Sequence, residues 1–280
     1  MRKTAASLSF RAGLDSGEKN VNVVRLEPRA AATGRAAWTV ANALQAVFTV
    51  VWTAGCIVLA LAVQAASGGR THGPLRMAAR LWAPGLLTGA RAKLRVEGLD
   101  RVDFSKPHVF VANHQSIIDV CALFRALPVP IRFVIKQELA SVPFIGWYAR
   151  AMGMVFIQRG HAREAAERLH GVVSLVREGE SLCAFPEGTR SSDGSVKPFK
   201  GGAFQVALQA GVPVVPIAIE GSGAVLPAAG FRVRPGTITL RIGDPIPTSG
   251  LCAGDRHALA QRAHAAVAAM HEAMQVAART

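Results

Sequence analysis

No charged side chain occurs between Arg35 and Arg70, and acidic residues are scarce throughout. Asp and Glu number 18 against 32 Lys and Arg, a formal charge of +14. The four cysteines, Cys56, Cys121, Cys183 and Cys252, lie far apart, and no CxxC pair or Cys/His spacing marks a zinc site. A reducing compartment and buried, structural thiols follow. There is no GxGxxG and no GxxxxGK[ST] run, so nothing supports an ordinary nucleotide-binding loop. A single tyrosine leaves little for a base-stacking platform, which argues against nucleic acid as the anionic partner. Lipid headgroups and phosphorylated substrates remain. With 50% hydrophobic and 18% charged residues the chain is no disordered segment; its 280 residues can bury a core.

The uncharged gap holds an apolar run, Ala43 to Val63. As a helix it would be about 30 Å long, one hydrocarbon thickness. A cleaved signal peptide fits poorly, because the basic leader is long and the run exceeds the usual ~7–15 residues. Thr71 to Ala90 carries Arg76 and Arg80 among Leu75, Met77, Leu81, Trp82, Leu86 and Leu87. This predicts an amphipathic helix at the membrane interface, its arginines towards lipid phosphates. Arginines flank the apolar run on both sides, so charge gives no clear orientation. Residues 1–35 lack periodicity and read as a flexible basic tail.

From Lys93 onward short β-rich runs alternate with helical ones. Leu94–Glu97, His108–Ala112, Ile131–Ile135, Met154–Ile157, Ser181–Phe185, Val214–Ile219 and Thr237–Ile242 read as strands. Ile117–Ala126, His161–Glu178, Gly201–Ala210 and Asp255–Ala278 read as helices. The pattern predicts an α/β domain with a mixed, mostly buried sheet flanked by helices.

Two polar constellations follow apolar strands, where open α/β sheets bind ligands. The first is Asn113-His114-Gln115-Ser116-Ile117-Ile118-Asp119. Asp119, in the first turn of the next helix, can reach back to the His114 imidazole and leave the other ring nitrogen as a base. Ser116 reads as a helix cap, and Asn113 as a residue that shapes the turn. The second is Phe185-Pro186-Glu187-Gly188-Thr189-Arg190. Gly188 permits close backbone approach, Thr189 offers a hydroxyl and Arg190 a fork suited to phosphate. Cys121 lies on the apolar face of a helix and reads as core, not as a thioesterase nucleophile. Lys197 and Lys200 read equally as a solvated loop or as contacts for donor phosphates. His257 and His264, with no acidic partner at ligand spacing, read as exposed or interfacial.

NHQSIID and FPEGTR, in this order, resemble the paired signature of the glycerolipid acyltransferase family. Lys136 and Arg159 are similar to the basic residues of the family's intervening block, and Gly211 to Ile219 to its last, Val/Ile/Pro-rich strand. The resemblance spans residues 93–245 and divides the chain into a tail (1–35), a membrane-associated helical segment (36–92) and an acyltransferase domain (93–280). It implies transfer of a fatty acyl group from acyl-CoA or acyl-carrier protein to a membrane glycerolipid hydroxyl, with 1-acyl-sn-glycerol 3-phosphate as the favoured acceptor. His114 would be the base, oriented by Asp119, and neither metal nor cofactor is needed. Gly188, Thr189, Arg190, Lys136 and Arg159 would hold the acceptor's phosphate; Asn113 and Glu187 would order the loop. A backbone N–H near Gly188 is one candidate oxyanion donor. The location implied is the cytoplasmic membrane, with the site on the cytoplasmic side. Two alternatives stay open: the same transfer to a lyso-ornithine lipid or glycerol 3-phosphate, and a non-catalytic lipid-binding module.

Overall fold

A computed structural model describes residues 30–68, 72–157 and 162–279. The chain divides into two units, Met1–Trp38 and Thr39–Thr280. Among its described residues the first holds the opening turns of one long helix, α1 (Ala30–Ala66). The expected tail therefore overlaps this helix at residues 30–35; positions 1–29 lie outside the described residues.

The apolar part of α1, Trp38–Ala66, has a mean hydropathy of 2.4 and is the one helix among the described residues long and apolar enough to cross a membrane. Its 29 residues extend about 43 Å at ~1.5 Å each. Val40, Leu44, Val47, Val50, Val51 and Val58 stand exposed along it. Elsewhere it is covered, by the helical run that follows and by contacts such as Gln64 Nε2 donating to Ala151 O at 3.3 Å and Val233 N donating to Asn42 Oδ1 at 2.8 Å. That run is α2 (Gly73–Met77), a π-helical stretch at Ala78–Trp82 and α3 (Ala83–Gly89). Pro84 has no N–H for the Arg80 carbonyl, and the helical ladder slips to π geometry just before it. Trp52 Nε1 donates to Trp82 O at 3.2 Å, and Trp82 Nε1 to Thr53 Oγ1 at 3.1 Å. A Cβ at Gly85 would lie 2.3 Å from Trp52 Nε1, so the absent side chain is what lets the two segments close. Arg76 and Arg80 are exposed, but Leu75, Ala78, Ala83 and Leu87 are buried. The apolar stripe of this run packs onto the α/β domain, covering α4 (Ile118–Ala126) and the edge strand β1 (Ala92–Glu97).

The domain is built on β1 (Ala92–Glu97), β2 (Val109–Ala112), β3 (Ile131–Lys136), β4 (Val155–Ile157), β5 (Ser181–Ala184), β6 (Val214–Glu220) and β7 (Gly236–Ile242). These form one sheet in the order β1-β7-β6-β2-β5-β3-β4. Every neighbouring pair is parallel except β6 and β7. The helices are α4 (Ile118–Ala126), α5 (Ile145–Ala151), α6 (Ala162–Arg177), α7 (Gly202–Ala210), a single turn α8 (Ser222–Val225) and α9 (Arg256–Arg279). Helix α5 and the short turn at Gln137–Ser141 lie in a stretch where the sequence shows no helical period.

Successive strand side chains point to opposite faces. Phe110 and Ala112 of β2 face α4 and the π–α3 run, and Val109 and Val111 face α6, α7 and α9. The central strands are buried on both faces and so read as unbroken apolar runs, whereas β1 alternates half-buried with exposed. Fully buried Phe110, Leu123, Ile131, Phe204 and Leu240 anchor the two cores, each side chain stabilising by roughly 1.5–3 kcal/mol.

Candidate active site

Strands β2, β5, β3 and β4 are neighbours and all parallel, so their carboxyl ends share one edge of the sheet. His114 follows β2, Glu187 to Arg190 follow β5, and Lys136 ends β3. Residues some 70 positions apart in sequence thus meet because parallel pairing brings both strand exits to the same side.

His114 Nδ1 lies 2.8 Å from Asp119 Oδ2, and Asp119 is fully buried. The same oxygen accepts the backbone N–H of Gln115 at 2.8 Å and of Ser116 at 2.9 Å. A carboxylate can only accept, so Nδ1 carries a proton, and in the neutral ring Nε2 keeps its lone pair. The ring stacks on Phe185, with centroids 3.9 Å apart and planes 14° from parallel. Both the tilt and the tautomer of the imidazole are therefore set by neighbours.

The loop around His114 is held on each side. Asn113 Nδ2 donates to Ile219 O at 2.9 Å, and Ile219 N donates to Asn113 Oδ1 at 2.7 Å. This amide clamp replaces a missing rung between the ends of β2 and β6. Ser116 Oγ accepts the Ile118 N–H and donates to Leu226 O at 2.5 Å. The His114 N–H donates to Glu187 Oε1 at 3.1 Å, and Ser191 N donates to His114 O at 2.7 Å. Glu187, 3% exposed, thus ties the two loops together. Burial pushes its carboxyl up to about 7, against the lowering effect of the backbone N–H groups of His114 and Lys197.

Gly188 has φ +71°, which favours glycine, and a Cβ there would meet the Lys200 ammonium at 2.7 Å. Its N–H donates to Phe185 O at 3.0 Å, so this amide closes the turn and is not a spare oxyanion donor. Thr189 and Arg190 are exposed at the turn's tip. Lys197 Nζ donates to Arg190 O at 3.2 Å, and Lys200 N to Pro186 O at 3.0 Å, which fastens the following segment onto the turn. Lys136 is exposed at its strand end. Arg159, two residues beyond β4, lies outside the described residues.

Cys121 is 3% exposed, and burial drives its thiol far above the ordinary range, which removes it as a nucleophile. His257 is exposed and touches Arg256, and His264 packs edge-on against Phe199. His271, read from sequence only as part of a helix, is 4% exposed and meets Gln115 and Glu220. No local signal marks that contact, because α9 is far from the His114 loop in sequence.

The acyltransferase family model matches residues 93–220, which hold both constellations. The human 1-acyl-sn-glycerol-3-phosphate acyltransferase alpha is 33% identical over 212 residues, 75% of this chain and 74% of that protein. The chloroplastic 1-acyl-sn-glycerol-3-phosphate acyltransferase BAT2 of Brassica napus is 40% identical over 150 residues, 53% of this chain and 43% of its own length. The chain thus spans about half the length of several curated relatives it matches. Among solved structures, the 1-acyl-sn-glycerophosphate (LPA) acyltransferase PlsC of Thermotoga maritima shares the fold. It has a TM-score of 0.71 and 24% identity, over 85% of this chain and 98% of that one. The protein belongs to the glycerolipid acyltransferase family.

Proposed function

We propose that this protein acylates 1-acyl-sn-glycerol 3-phosphate at a membrane surface, forming phosphatidic acid. The observation that carries the reading is the His114 Nδ1–Asp119 Oδ2 contact of 2.8 Å beside a Gly-Thr-Arg turn. His114 Nε2 takes the proton of the acceptor hydroxyl as its oxygen bonds to the thioester carbonyl carbon. The C–S bond then breaks, and the imidazolium returns the proton to the departing thiolate. Asp119 holds the ring and stabilises its cationic form. A thiolate leaves readily, so no enzyme nucleophile is required. Thr189 and Arg190 bind the acceptor phosphate, with Lys136 and Arg159 as further cations. The relatives' names support this acceptor.

The exposed apolar face of α1, with exposed Phe144 and Trp147 on and beside α5, supports residence at a bilayer. We place the site at the cytoplasmic face of the cytoplasmic membrane, where acyl thioesters are available. The test is acyl transfer by the detergent-solubilised full chain. Each of acyl-CoA and acyl-carrier protein is paired with lysophosphatidate, a lyso-ornithine lipid and glycerol 3-phosphate, beside His114→Ala. Product from lysophosphatidate, lost in His114→Ala, is expected. Product only from another acceptor would replace the substrate and keep the chemistry. Folded, lipid-bound protein with no transfer from either donor would overturn the reading in favour of lipid binding alone.

A further inference from the structure

Gln115 sits between the proposed base and its orienting carboxylate. Its backbone N–H is one of the three donors to Asp119 Oδ2. Its side chain runs the other way, into the junction of β6 with α9. There Gln115 Nε2 lies 2.8 Å from His271 Nε2 and donates to Gly194 O at 3.4 Å. His271 Nε2 is 2.5 Å from Glu220 Oε2. An amide nitrogen only donates, so Gln115 Nε2 gives one N–H to the His271 Nε2 lone pair and the other to Gly194 O.

The location of Glu220 gives this cluster its meaning. It is the residue after Ile219, whose backbone N–H and C=O both bond Asn113. Both neighbours of His114 are therefore tied to the same two residues at the end of β6. Asn113 is tied directly; Gln115 is tied through His271, whose ring meets Glu220. Burying Gln115 and His271 costs desolvation that an apolar pair of equal volume would not. Packing alone gives no reason for it here.

We propose that His271 is a positioning residue for the acyl transfer. From α9 it locks the Gln115 side chain, and through the Gln115 N–H it holds Asp119 and hence the His114 ring. This rests on the base assigned above. Small displacements of a reacting group are expensive, a shift near 1 Å costing about 100-fold in rate.

The test compares His271→Leu with His271→Gln, whose amide oxygen restores an acceptor, and with Gln115→Leu, which cuts the link from its other end. Expected for His271→Leu is a kcat lowered about tenfold or more, with KM for both substrates within about twofold, an undiminished Tm, and recovery of most of the kcat in His271→Gln. Joining His271→Leu to Gln115→Leu should add nothing beyond the worse single change, since both sever one link. The second readout needs no activity: backbone hydrogen exchange in the peptide spanning residues 113–120. It should quicken about tenfold in His271→Leu and return towards the parent in His271→Gln. Should His271→Leu not fold, Gln115→Leu alone carries both readouts. Unchanged exchange, or a KM rise matching the loss in kcat, overturns the proposal. A parent chain inactive on every substrate, but with the exchange response intact, would keep the positioning role and overturn the reaction instead.

Discussion

Asp119→Asn isolates the charge in the proposed mechanism with little change of shape. In the parent, Asp119 Oδ2 accepts from the His114 ring and from the Gln115 and Ser116 amides. An asparagine oxygen in the same place keeps three acceptor contacts, so the resting ring stays oriented. What disappears is the attraction between carboxylate and imidazolium, which exists only once His114 has taken the substrate proton. At an effective dielectric of about 20, unit charges roughly 4 Å apart attract by about 4 kcal/mol. At about 1.4 kcal/mol per decade, this corresponds to a loss near 10³-fold in kcat. KM should move less than about threefold, because Asp119 is fully buried behind His114 and offers a bound acceptor no surface to touch. Stability should also fall. Asp119 Oδ1 has no hydrogen-bond partner, so the new amide nitrogen arrives where no acceptor waits, at a cost of about 1–3 kcal/mol. The assay is thiol release from acyl-CoA with saturating lysophosphatidate, on protein shown folded by circular dichroism. A kcat within tenfold of the parent would refute the argument that the carboxylate stabilises a cationic His114.

Asn113→Ala should cost about 2–4 kcal/mol in denaturant unfolding, because the Ile219 N–H and C=O both lose partners in a buried place; a loss under 1 kcal/mol would mean that water or a shifted side chain satisfies them. Gly85→Ala should destabilise by roughly 1–3 kcal/mol and change tryptophan fluorescence, since the new methyl displaces the Trp52 ring. The Glu187 carboxyl, lifted by burial from 4.5 to about 7, stays protonated in the folded chain over pH values where the unfolded chain has lost that proton. Stability should therefore fall as pH rises from about 4.5 to about 7, and Glu187→Gln, which cannot ionise, should flatten this slope in urea titrations; equal slopes in the two proteins would show that Glu187 titrates normally.

The positions along the chain of the strands and main helices of the α/β domain were legible in the sequence, because each central strand is buried on both faces and reads as a short apolar run. Runs such as Val109–Ala112 and Val214–Ile219 are short and rich in β-branched residues, which marks them as strands and not helices. Helix α5 was not legible: its exposed Trp147 and Ile145 break the apolar period. The His114–Asp119 pair was legible because both partners lie within one loop and the first turn of one helix, a local geometry that five residues define. The turn at Gly188 was legible for the same reason.

By itself, then, the sequence determined the apolar helix, the alternation of strands with helices, and the two polar loops at strand exits. These depend on spacing along the chain, and backbone geometry converts such spacing directly into shape. Tertiary structure alone decided which strands are neighbours, and so which loops meet. It turned the stripe of Leu75 and Leu87 towards the domain. It set Asn113 against Ile219 and brought His271 from α9 to Gln115. Those contacts join residues from about 100 to more than 150 positions apart, and only the packed sheet, by choosing which buried polar groups satisfy one another, carries that information.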